Sequence, residues 1–150
     1  MTYLEARARI VEFPGAEIAA DGPPLAVAVP ASSWGEFGAF ARTRLGCGFF
    51  SFLTAVDWKA DGLEVVAWVA NLDDNLALLV KTRLGPGVTR CPSLVPVYQG
   101  ADWMERECFD MFGIRFDGHP DLRRILLAED WEGHPLLKSY AVDTPHPPYR

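Results

Sequence analysis

The chain has 150 residues, of which 49% are hydrophobic and 23% charged, and its size and composition are typical of one soluble globular domain. Its net charge of −6 argues against a surface for nucleic acid or anionic membranes, because phosphate contacts need clustered Lys and Arg. The three cysteines, Cys47, Cys91 and Cys108, are widely spaced without a Cys-x-x-Cys motif, so neither a disulfide framework nor an iron–sulfur or zinc site is indicated.

Two helices and a short strand are predicted in the first third of the chain. A helix over 2–13 is stopped by a Pro-Gly pair, and the apolar run 25–29 predicts a strand. Ser33 with Glu36 predicts a capping box that opens a second helix over 34–45. The N-terminus has no apolar signal core, and no apolar run reaches the ~18–20 residues of a membrane span.

Three strands are predicted in succession at 49–57, 63–72 and 76–84. Their connections are too short for a parallel crossover, so the strands form an antiparallel β-meander, which the helix over 34–45 and the capped helix that follows residue 102 would cover. A short preliminary helix is predicted at 93–99. The predicted fold is therefore α+β, as a single domain over 1–140 with an extended Pro-rich tail at 141–150.

A third helix carries the densest charge pattern in the chain. Asp102 is its predicted N-cap, with Glu105 completing a capping box, and Gly113 is its predicted C-cap. Residues 101, 104, 108, 111 and 112 predict its buried face. The charged residues are expected on the other faces, with an ion pair between Arg106 and Asp110.

The charged residues of this helix allow three interpretations. The first is a solvated face with weak ion pairs. The second is an ion-pair network within the chain, with Glu107 or Asp110 facing Arg123 or Arg124, and the third is the same network shared with a neighbouring subunit. We favour the internal network.

No catalytic, cofactor or metal site is predicted. Glu105 and Glu107 point in different directions on a helix, so they cannot converge with Asp110 and His119 on one substrate. His119, His134 and His146 are far apart, with no ligand-pair spacing. No glycine-rich loop leads from a strand into a helix, and neither Ser51 nor Ser93 lies in a nucleophile elbow.

The pattern Glu105-Arg106-Glu107, Asp110, His119, Arg123 and Ile125-Leu126 resembles the signature of the 30 kDa subunit family of respiratory complex I, which includes the C subunit of bacterial NADH-quinone oxidoreductase. Residues 129–136 are also typical of that family, and the close resemblance covers roughly the last third of the chain. The resemblance implies that nine residues belong to the family signature and take part in ion pairs or in an interface. They are Glu105, Arg106, Glu107, Asp110, Gly113, His119, Pro120, Arg123 and Arg124.

The resemblance implies a non-catalytic structural subunit in the hydrophilic arm of a proton-translocating complex. NADH, FMN, iron–sulfur clusters and quinone are expected on partner subunits, and the large quinone-site subunit is the expected principal partner. The expected location is peripheral, on the cytoplasmic face of the bacterial inner membrane. Leu137 and Ser139 stand where the family commonly has Arg and Asp, and many relatives continue beyond the position of Arg150, so fewer partner contacts are expected.

Two alternatives remain from the sequence. One is the related subunit of a membrane-bound nickel–iron hydrogenase or similar energy-converting complex, which the signature does not separate well. The other is a free-standing acid–base enzyme using the charged helix.

Overall fold

A five-stranded sheet with the order β1-β2-β5-β4-β3 is the framework of the fold. The computed structural model describes residues 1–143. In chain order the elements are α1 (Tyr3–Val11), β1 (Glu17–Ala20), β2 (Leu25–Ala28), α2 (Trp34–Arg44), β3 (Phe49–Asp57), β4 (Leu63–Asn71), β5 (Leu76–Gly85), β6 (Arg90–Pro92), α3 (Ala101–Phe112) and β7 (Arg115–Asp117).

The predicted β-meander is confirmed, because β3, β4 and β5 pair antiparallel in sequence order. The sheet is larger than the meander, since β2 adds to β5 in parallel and β1 adds to β2 antiparallel. Strand β1 was not predicted from the sequence, because its side chains are mostly exposed and show no apolar alternation. The α+β class and the helical cover are confirmed.

The main core lies between one face of the sheet and the helices. Ile10 of α1 and Phe37 of α2 are fully buried in one cluster with Val65 and Leu78 of the central strands. The buried residues of α3 join the same cluster, so the signature helix is anchored on the core. Such burial is the main term that stabilises a domain of this size.

Two local predictions in this part of the chain are wrong. Ser33 makes no capping hydrogen bond, because residues Ala31–Ser33 form a 3₁₀ turn that leads directly into α2. Residues 93–99 form turns instead of a helix. The preceding strand β6 pairs in parallel with β7, which fixes this segment between the strand and α3.

Residues 118–143, called here the C-terminal segment, contain neither helix nor strand. This segment crosses α3 and ends near the meander, where the backbone N–H of Lys138 donates to Asp57 Oδ2 at 2.8 Å. The predicted tail at 141–150 falls largely on residues 144–150, which lie outside the described part. Within residues 1–143, no helix has the length and apolarity of a membrane span.

Candidate functional site

The signature helix α3 begins two residues earlier than predicted. Gly100 is its N-cap, and it makes no side-chain cap bond. The predicted capping box of Asp102 and Glu105 is therefore wrong, and Asp102 lies inside the first turn, where a negative charge still favours the helix dipole. The predicted C-cap is confirmed, because Gly113 adopts a left-handed conformation with φ of 74°.

Gly113 is required for a second reason besides its backbone conformation. A Cβ atom at this position would lie 2.8 Å from Cδ2 and 2.9 Å from Nε2 of His134. The end of α3 therefore approaches the C-terminal segment at a distance that only glycine permits.

Glu105 is fully buried, contrary to its expected place outside the apolar face of the helix. Its Oε2 accepts a hydrogen bond of 2.6 Å from the Ser93 hydroxyl, and its Oε1 accepts one of 2.6 Å from the Leu94 backbone N–H. The carboxyl group thus holds the turn that follows β6 against α3. Burial raises the pKa of Glu105 to about 7, although these two hydrogen bonds act in the opposite direction.

Arg106 also binds within the chain. Its Nε donates to the Arg123 carbonyl and its Nη2 to the Arg124 carbonyl, each at 3.1 Å. The predicted ion pair between Arg106 and Asp110 is therefore wrong: Arg106 binds carbonyls of the C-terminal segment, and Asp110 pairs with a different arginine.

Asp110 is fully buried and gathers the C-terminal segment around one carboxylate. Arg124 Nη1 donates to its Oδ1 at 2.6 Å, and the side chain of Arg124 is only 13% exposed. The backbone N–H groups of Ile125, Leu126 and Leu127 all donate to Oδ2, at 3.2, 2.8 and 2.9 Å. The predicted internal network is confirmed for this pair.

The same arginine binds the next turn of the segment. Arg124 Nη2 donates to the carbonyls of Trp131 at 2.9 Å and Gly133 at 3.1 Å. The ring Nδ1 of His134 lies 2.9 Å from the Asp110 carbonyl, so that nitrogen donates its hydrogen. We call Asp110, Arg124 and these backbone groups the Asp110–Arg124 clamp.

The pKa of Asp110 reflects two opposed effects. Burial acts to raise it, but the hydrogen bonds from Arg124 and the three backbone N–H groups act more strongly in sum, so the pKa lies below the usual value. Asp110 therefore stays ionised, as an ion pair with Arg124 requires.

The other predicted residues occupy the surface around the clamp. His119 accepts a hydrogen bond at Nδ1 from the Asp121 N–H, so its Nε2 carries the hydrogen and donates to Asp102 at 3.0 Å. Arg123 pairs with Asp121, and both side chains are 61% exposed. Pro120 is exposed. Glu107, predicted as a possible partner of an arginine, is exposed and forms no ion pair within residues 1–143.

The signature side chains bind other segments of this chain, and they do not converge on one point where a reactant could bind. The carboxyl groups of Glu105 and Asp110 are each occupied by donors from different segments. A surface cleft of about 490 Å³ is lined by Asp57, Leu137 and Lys138 among others, and includes none of the signature residues. Among the described residues, no three His, Cys, Asp or Glu side chains could hold a metal ion.

Two contributors to the site were missed from the sequence. Ser93, which was considered only as a nucleophile, is the partner of Glu105. Trp103 is 70% exposed on α3 and was not singled out. A tryptophan outside the apolar positions of the helix was the available signal, because a large aromatic side chain at such a position must face solvent or another chain.

Comparisons with known sequences all match this chain to one family. Residues 27–146 match the family model of the respiratory-chain NADH dehydrogenase 30 Kd subunit. The C subunit of NADH-quinone oxidoreductase from Rhodobacter capsulatus is 43% identical over 120 residues, which are 77% of this chain and 60% of that protein. The protein of the same name from Trichlorobacter lovleyi is 40% identical over 116 residues, which are 75% of this chain and 72% of that protein.

Two solved structures share the fold. One is Nqo5 as a trypsin-resistant fragment (1-134), with a TM-score of 0.69 and 26% identity, covering 79% of this chain and 98% of that chain. The other is from the membrane-bound sulfane sulfur reductase, an archaeal respiratory membrane complex, with a TM-score of 0.70 and 28% identity. That match covers 85% of this chain and 77% of the other.

Proposed function

This chain belongs to the family of respiratory-chain NADH dehydrogenase 30 kDa subunits, and we propose that it is a non-catalytic structural subunit of a proton-translocating NADH-quinone oxidoreductase. In this role it supports electron transfer from NADH to quinone by holding other subunits in position. NADH, FMN, iron–sulfur clusters and quinone bind to those subunits and not to this chain. The complex places it peripherally on the cytoplasmic face of the bacterial inner membrane, against the large quinone-site subunit.

The observation that carries this proposal is the use of the signature charges inside the chain. Glu105 and Asp110 are fully buried and Arg106 is half-buried, and each binds the backbone of a segment that has neither helix nor strand. An acid–base enzyme would need at least one such group aimed into a cleft. A scaffold needs irregular segments held in one conformation, and this geometry supplies that.

The C-terminal segment then serves as a preformed contact surface. Leu126 is 60% exposed and Leu136 is 52% exposed, although the backbone of each is tied to α3. Apolar side chains on an ordered surface segment favour association with another protein, because the segment loses little further conformational entropy on binding.

Arg124→Lys in the tagged full chain tests the proposal. Lysine keeps the charge but cannot reach Asp110 and the two carbonyls together, so we expect less assembled complex and less NADH-dependent quinone reduction. Arg7→Lys is the matched control, because the Arg7 side chain makes only an exposed pair, with Asp21, and it should assemble normally. Recovery of the unaltered chain as a free monomer, or turnover by the isolated chain, would contradict the proposal.

A second candidate is the equivalent subunit of a related complex, such as a membrane-bound nickel–iron hydrogenase. The similarity to a chain of the membrane-bound sulfane sulfur reductase supports this second candidate. The two candidates differ in the chains that co-purify and in the electron donor. Mass spectrometry of the complex isolated through this chain separates them directly, because only an NADH-oxidising complex contains a flavin-binding NADH subunit.

A further inference from the structure

Two neighbouring side chains form the exposed stripe of α3. Of the twelve residues of this helix, Trp103 and Glu107 are exposed, and the other ten are buried or half-buried. The core covers one side of the helix and the C-terminal segment covers another. Trp103 and Glu107 are four residues apart, so they lie one turn apart on the same face, about 5–6 Å between Cβ atoms.

The stripe is not used within the described part of the chain. Neither the Trp103 indole nor the Glu107 carboxylate makes a hydrogen bond, ion pair or ring contact with residues 1–143. Glu105, Arg106 and Asp110 all bind other groups of this chain. Among the charged residues of 105–110, Glu107 alone faces outward without a partner in residues 1–143. An exposed tryptophan is typical of an interface anchor, and the unpaired carboxylate beside it selects a partner of positive charge.

We propose that Trp103 and Glu107 together receive an arginine side chain presented by a neighbouring subunit of the complex. The inference rests on the proposed function, and it names the contact chemistry that the proposed function leaves open. The indole face attracts a guanidinium group through cation–π interaction, and the adjacent carboxylate pairs with its N–H fork. Lysine fits less well, because its point charge cannot stack flat on the ring while pairing with the carboxylate.

The same combination already exists inside this chain. The guanidinium carbon of Arg83 lies 4.4 Å from the centroid of the Trp58 ring, and Arg83 Nε lies 2.6 Å from Glu64 Oε2. One arginine is therefore held between an indole and a carboxylate. The stripe on α3 has the indole and the carboxylate but no arginine of its own. An arginine side chain complements both groups, because it stacks on the ring and pairs with the carboxylate.

The first test uses Trp103→Ala and Glu107→Arg in the tagged full chain, assembled with its natural partners. Each is expected to reduce the affinity for the partner subunits by roughly 30-fold, the threshold of an interface hot spot, with the thermal midpoint of the purified chain unchanged. Glu36→Arg is the matched control, because Glu36 is an exposed acidic residue on α2, and it should assemble normally. Undiminished assembly of both stripe variants would overturn the inference and leave the proposed function standing.

The second test identifies the occupant. A benzophenone amino acid replacing Trp103 is photo-activated in the assembled complex, and the cross-linked peptide is sequenced. We expect a peptide of another subunit that contains an arginine, and exchange of that arginine for glutamate should restore assembly of Glu107→Arg. A peptide without arginine, a peptide from a second copy of this chain, or no cross-link would overturn the inference. A wild-type chain that recovers no partners would overturn both this inference and the proposed function.

Discussion

Asp110→Asn is the substitution that tests the clamp most directly. Asparagine keeps the shape of the side chain, but only one of its two terminal atoms accepts hydrogen bonds. If the amide oxygen faces the backbone N–H groups of 125–127, the amide NH₂ faces Arg124 and leaves that charge unpaired. If the amide is flipped, three N–H donors lose their acceptor. Either orientation leaves buried donors unsatisfied.

The size of the effect follows from burial. Asp110 is fully buried and Arg124 is 13% exposed, so removing one partner leaves a largely desolvated charge, which costs about 3–5 kcal/mol. For a chain of 150 residues this corresponds to a decrease of roughly 10 °C in the thermal midpoint. Trypsin should also cut faster within 118–143, because that segment depends most on the clamp.

Asp121→Asn is the matched control for this prediction. It is the same chemical change, made in the exposed pair with Arg123, where each side chain is 61% exposed. Such a pair contributes at most about 1 kcal/mol. Thermal unfolding and limited proteolysis of both purified variants provide the comparison. Equal stability and equal trypsin sensitivity of the two variants would refute the clamp as the element that orders the C-terminal segment.

Three further predictions concern α3 and the C-terminal segment. Because burial raises the pKa of Glu105 from 4.5 to about 7, the contribution of Glu105 to stability is fully present below pH 4.5 and decreases by about 3 kcal/mol as the pH rises to 7. Glu105→Gln should remove this pH dependence in urea titrations, and an unchanged dependence would contradict the reasoning. Gly113→Ala should lower the thermal midpoint, since it meets His134 at positive φ, whereas Gly35→Ala, in open space on α2, should not; equal midpoints would refute this. Arg123→Ala should leave the midpoint of the purified chain almost unchanged and reduce assembled complex more; equal losses would instead indicate an internal role.

The elements with a strong local pattern were predictable from the sequence. The meander strands have β-branched and aromatic residues between short turns, and all three are confirmed within one residue of their predicted ends. The apolar spacing of α3 and the role of Gly113 are confirmed for the same reason. The family resemblance is also confirmed, because its motif specifies many positions at fixed spacing.

The errors concern residues whose partners are distant in sequence. Glu105 was placed in a capping box because Asp102 lies three residues before it, but its partners are Ser93 and Leu94, which precede the helix. The Arg106–Asp110 pair was favoured by i,i+4 spacing worth only about 0.2–0.5 kcal/mol. The clamp offers Asp110 four donors from the C-terminal segment, which outweigh that pair.

Leu137 illustrates how a departure from the family pattern fits the same fold. The resemblance implies an arginine at this position, where it could form a salt bridge that leucine cannot. Leu137 is half-buried and packs against the core cluster, so in this chain the position contributes apolar packing to the end of the C-terminal segment. Its neighbour Lys138 fixes that end through a backbone bond to Asp57, which does not depend on the identity of the side chain.

Glu105 and Asp110 show why burial alone does not decide the ionisation of the signature residues. Both are fully buried on one helix, yet the pKa of Glu105 is raised and that of Asp110 is lowered. Glu105 receives one hydroxyl and one backbone N–H, whereas Asp110 receives a guanidinium and three backbone N–H groups. Stability therefore decreases as the pH rises through the raised pKa of Glu105 and as the pH falls through the lowered pKa of Asp110. The two carboxyl groups limit the stable range of α3 from opposite sides, and this follows from how many donors each receives.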